Sequence, residues 1–80
     1  MERSFPKYRM LMDGRHFYRI DSPEEFTEIQ LVGNRRTVHQ ISAKAYPEKV
    51  RIAQMIEMAD GLYEEIDALR WEDEWDASQK

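Results

Sequence analysis

The chain changes character near residue 45, and that change limits what it can fold into. Up to there, β-forming segments alternate with turn residues; beyond it, apolar residues recur at helical spacing among acids. Residues 1–45 hold eight Lys and Arg against six Asp and Glu, a balance of +2, while residues 46–80 hold four against ten, or −6. A sheet and a helix that each carry an apolar face need cover, and in 80 residues the direct solution is for one to cover the other. The sequence therefore predicts one α+β domain over 1–80. Its sheet is four-stranded and mostly antiparallel, made of two β-hairpins over 7–41. A long C-terminal helix over 47–77 covers one face, with 1–5 and 78–80 frayed.

The strongest local signal is Asp13-Gly14, set between Lys7–Met12 and Arg15–Ile20. An Asp-Gly pair so flanked favours a two-residue type I′ turn, which needs positive φ at both positions. Such a turn fixes register: Leu11 faces His16, Met10 faces Phe17, Arg9 faces Tyr18 and Tyr8 faces Arg19. Tyr8, Met10, Met12 and Phe17 then share one face, and Leu11, Tyr18 and Ile20 share the other. Both faces are partly apolar, which a sheet with one side in water does not need.

Gly33-Asn34 marks a second hairpin, with Gly in the first central position of a type II′ turn. It pairs Ile29 with Val38, Gln30 with Thr37 and Glu28 with His39; a four-residue loop over 33–36 is the alternative. Asp21-Ser22-Pro23-Glu24 between the hairpins carries helix-start chemistry but has room for only a turn or a short 3₁₀ piece.

After Tyr46-Pro47-Glu48, apolar residues recur at Ile52, Met55, Ile56, Ala59, Leu62, Tyr63, Ile66 and Leu69, one stripe on a 3.6-residue period. Gly61 interrupts it and could cap one helix before a second. The apolar phase nevertheless runs through Gly61, with Ile52, Ala59 and Ile66 seven apart, which favours one long helix bent there.

Candidate sites are few. Trp71 and Trp75 lie four apart among acids, and Trp is favoured where partners make contact. The excess apolar surface of the first hairpin, Leu11 and Tyr18 on one side, also calls for a partner or a second copy. A small, soluble, non-enzymatic protein-interaction module, with self-association as one form of it, is the leading expectation, and a homodimer or another protein is the expected partner. The alternative is a sheet that contacts RNA or nucleotides through the basic and aromatic residues Tyr8, Arg9, Phe17, Tyr18, Arg35 and Arg36. An overall net charge of −4 weighs against nucleic acid and anionic membrane.

Other chemistry finds no footing. With no Cys, the chain has no disulfide framework and no thiolate ligand or nucleophile. His16 and His39 lack metal-ligand spacing, and no serine sits in a nucleophile elbow. No catalytic residue, cofactor or metal is expected. Residues 1–6 lack the apolar run of a secretory signal, and no apolar stretch is long enough for a membrane span. A cytoplasmic protein is the expectation.

Overall fold

The first hairpin keeps the register its sequence predicts, although its turn is wider. A computed structural model describes residues 5–79. In it β1 (Lys7–Leu11) and β2 (His16–Ser22) are antiparallel, with Arg9 opposite Tyr18 and Met10 opposite Phe17. Of Asp13 and Gly14, only the glycine has positive φ, at 72°. The loop over 12–15 is closed instead by the Gly14 N–H donating to the Leu11 carbonyl at 2.9 Å. The Asp13 carboxylate also accepts the Arg15 N–H, at 2.7 Å. An aspartate that satisfies the backbone with its own side chain removes the need for a type I′ turn.

The second hairpin follows expectation. β3 (Glu25–Val32) and β4 (Arg35–Ser42) pair Ile29 with Val38 and Glu28 with His39, around a two-residue turn that starts at Gly33, φ 64°. Pro23-Glu24 is itself a tight turn: Ser22 stands opposite Glu25, and its hydroxyl accepts the Glu24 N–H at 3.1 Å. Four strands thus form one continuous meander.

The C-terminal half corrects the expectation of four strands under one long helix. The class is α+β, but α1 (Tyr46–Glu57) stops at Met58, which is left-handed at φ 54°. Asp60 and Gly61 also have positive φ, 59° and 68°, so the chain reverses through a 3₁₀ turn, Ala59–Gly61. It returns as β5 (Tyr63–Glu65), antiparallel to β1, and then forms α2 (Ala68–Ser78). The sheet has five strands in the order β4-β3-β2-β1-β5. Each helix start is capped from its own sequence. The Glu48 carboxylate accepts the Lys44 and Ala45 N–H groups at 3.3 and 3.5 Å, and Asp67 accepts that of Arg70 at 2.9 Å.

The apolar phase across Gly61 misled because equal spacing is not a shared face. Ile52 and Met55 are buried with Tyr18, Ile20, Phe26 and Ala43 on one side of the sheet. Ile66 packs on the other side, with Phe17, Ile29 and Trp71. Each helix packs on one face, so cover on one face only is also corrected. The second apolar face of the first hairpin meets α2 of its own chain. Burying side chains such as Ile52 or Met55 is worth roughly 1.5–3 kcal/mol each.

No helix among the described residues is long and apolar enough to cross a membrane.

Candidate functional site

The side chains that the sequence singles out divide between two packed layers and one edge. On the α1 side, Tyr18 is 1% exposed, its ring 5.9 Å from those of both Phe26 and Tyr63. Its hydroxyl accepts a hydrogen bond from Arg51 at 3.2 Å. Burial raises the Tyr18 pKa well above the usual tyrosine range, with Glu28 adding to the rise and Arg51 opposing it. For Arg51, burial disfavours the charge, but Tyr18 and Glu28 outweigh it and the pKa rises. Leu11 packs at the margin of the same cluster.

Arg9, an aromatic-strand cation in the sequence, is 5% exposed. Its Nε donates to the Met55 carbonyl at 2.9 Å and its Nη2 to the Ile56 carbonyl at 3.0 Å. These carbonyls lie in the last turn of α1, where a helix runs out of N–H partners and its dipole is negative. Arg9 therefore caps α1 from the neighbouring strand. Burial lowers its pKa, with Glu65 opposing that.

On the α2 side, Trp71 is 2% exposed, 6.2 Å from Tyr8 ring to ring and 6.4 Å from the stacked, half-buried Trp75. The Arg19 guanidinium lies 5.7 Å from the Trp71 ring, and that of Arg70 lies 5.2 Å from the ring of Phe17, itself 1% exposed. Arg36 pairs with Glu74 at 2.8 Å, while Arg35 is exposed. The structure thus brings Tyr8, Phe17, Trp71 and Trp75 together in one layer and Arg9, Leu11 and Tyr18 in the other. Arg35 and Arg36 lie apart, at the turn into β4.

The titratable groups at the surface serve local structure. His16 Nδ1 lies 3.0 Å from the Asp13 carboxylate. The Arg15 N–H holds the Asp13 carboxyl below its usual range, with burial opposing it and His16 adding to the lowering. His39 is exposed beside Glu28 in β3. Among the described residues, no buried side-chain nitrogen or oxygen lacks a hydrogen-bond partner, and no three His, Asp or Glu converge as metal ligands.

With both faces occupied, the unpaired backbone lies at the two edges, and ladder geometry tells which groups are free. The Ala43 N–H donates to the Glu24 carbonyl at 2.7 Å, and register holds from there to Val32 and Arg35. Antiparallel ladders alternate hydrogen-bonded and open pairs. Thr37, His39 and Ile41 therefore turn their N–H and C=O groups toward β3, and Arg36, Val38, Gln40 and Ser42 turn theirs outward. On the other edge the Met12 N–H donates to the Leu62 carbonyl and that of Ile66 to the Tyr8 carbonyl. By the same alternation only Tyr63 and Glu65 of β5 face out.

Val38, Gln40 and Ser42 were not legible as candidates. Thr37–Ile41 reads as a strand without Pro or Gly, but only strand order makes it an edge. Comparison with protein-family models, with curated proteins and with solved structures finds no match to this chain.

Proposed function

We propose that this chain is a small non-enzymatic interaction module that takes up an extended backbone segment along the outer edge of β4. The observation that carries the reading is the open ladder at Arg36, Val38, Gln40 and Ser42 on a sheet that carries one helix on each face. An exposed edge of this length is a template for another strand, which gains affinity from main-chain hydrogen bonds and specificity from alternate side chains. A cysteine-free chain suits a reducing cytoplasm, where such a module would work. Trp71, Tyr18 and Leu11 act in this reading as the packing that holds the edge in place, and Trp75 as its half-exposed margin. A base-stacking sheet draws less support, because the rings of Phe17 and Tyr18 face helices.

Gln40→Pro tests the reading. Gln40 is exposed and its N–H points outward, so proline removes a docking donor and spares the internal ladder. Partners captured by the wild-type chain and lost by a folded Gln40→Pro variant support edge docking. Equal capture by both overturns it.

A further inference from the structure

Resting on that reading of the edge, we infer that the strand taken up by β4 is β4 of a second copy, paired antiparallel about a two-fold axis at His39. Three observations point to this occupant. The outward groups sit at even positions from Arg36 to Ser42, symmetric about residue 39. In an antiparallel self-pairing, Arg36 meets the partner's Ser42 and Val38 meets the partner's Gln40, and each pair repeats across the axis. No other antiparallel self-register engages all four outward residues of both strands.

Charge selects the same direction. Arg35 lies exposed at one end of β4 beside Arg36, which is held by Glu74; Glu24 and Glu25 lie at the other, with Glu25 directly opposite Ser42, beside Lys44 and an Asp21 held by Arg19. Antiparallel pairing sets each basic end against the partner's acidic end. A parallel arrangement would set like against like.

Space agrees as well. Asp21, Glu25, Thr27, Gln40 and Ser42 line a shallow cleft of about 350 Å³ at this acidic end. By strand alternation, Glu25, Thr27, Gln40 and Ser42 share the α2 side of the sheet with Ile29 and Val38. α2 approaches that side near its other end, where Arg36 holds Glu74. In the two-fold dimer the Arg35 end of one copy comes to the partner's open cleft, beside the last turn of α2, which carries Asp76 and no basic residue. The product is a continuous ten-stranded sheet, five strands from each copy, with β5 at both outer edges.

The test is sedimentation equilibrium of the chain, of Gln40→Pro and of Glu25→Lys, with circular dichroism to confirm that each variant folds. The wild type is expected to dimerise, Gln40→Pro to stay monomeric, and Glu25→Lys to dimerise roughly tenfold more weakly at low salt. A dimer unaffected by Gln40→Pro and Glu25→Lys overturns the pairing. So does a wild type that remains monomeric up to roughly 1 mM. In that monomeric case a peptide of sequence 35–42, titrated onto labelled protein, separates the two levels of the argument. Binding that perturbs the Val38 and Gln40 amides leaves β4 a docking edge and removes only the second copy. No binding also removes the second copy, and equal capture of partners by the wild type and Gln40→Pro then removes the docking edge as well.

Discussion

The two edges of the sheet end in opposite ways, and the contrast shows where this fold is finished and where it is open. β5 is three residues long, presents only Tyr63 and Glu65 outward, and is flanked by side-chain buttresses. Arg9 ties β1 to the last carbonyls of α1, and Tyr63 packs its ring on Tyr18. β4 is eight residues long, rich in β-formers and free of proline. Short edge strands bearing charge protect natural sheets from pairing. β5 is short and charged, whereas β4 is long and carries charge only at Arg35 and Arg36, so the ladder beyond them reads as a contact surface.

The contrast can be broken most severely through the faces. Trp71→Ala is expected to cost roughly 3–5 kcal/mol in denaturant unfolding, because the cavity beside Phe17 and Ile29 would loosen α2 over the β4 side. A midpoint equal to that of the wild type would mean that α2 does not seal this face. Next comes a pair of neighbours on one strand. His39→Pro removes an inward N–H and is expected to cost about 3 kcal/mol or more, whereas Gln40→Pro removes an outward one and should cost much less. Equal losses would show that β4 is not an edge.

On the β5 side, Arg9→Ala leaves the α1 carbonyls without their charged donor and should cost about 2–4 kcal/mol. Thermal melts that show no loss would make the buttress ornamental. The smallest effect belongs to Tyr18→Phe, about 1 kcal/mol near neutral pH. Its signature is in the pH profile. The folded-state pKa of Tyr18 is raised, so the hydroxyl's stabilising contribution is fully present below the ordinary tyrosine pKa of about 10. It is lost as pH rises above that value, because only the unfolded chain ionises there. Tyr18→Phe should flatten this alkaline decline; an unchanged slope would place the titration elsewhere.

Local chemistry was legible in the sequence, and long-range assignment was not. Asp13-Gly14 and Gly33-Asn34 placed two turns and, with them, the pairing of four strands, because a turn and a period of two leave little choice. The end of α1 was hidden. Left-handed Met58 and Asp60 are unusual for residues other than glycine, and the apolar phase continued past them. β5 has only three residues and no period to detect. Arg9 read as surface charge because its partners are carbonyls of residues 55 and 56, which no local pattern links to β1. Trp71 stood out by composition, yet whether it faced solvent or Tyr8 depended on the reversal at Gly61.

Amide hydrogen exchange along β4, in dilute protein, reads the free edge residue by residue. Edge geometry predicts alternation: Thr37, His39 and Ile41 protected by β3, with Arg36, Val38, Gln40 and Ser42 exchanging freely. Uniform protection through residues 36–42 at that dilution would mean that something within the chain already covers this edge and that β4 is not free to dock a strand.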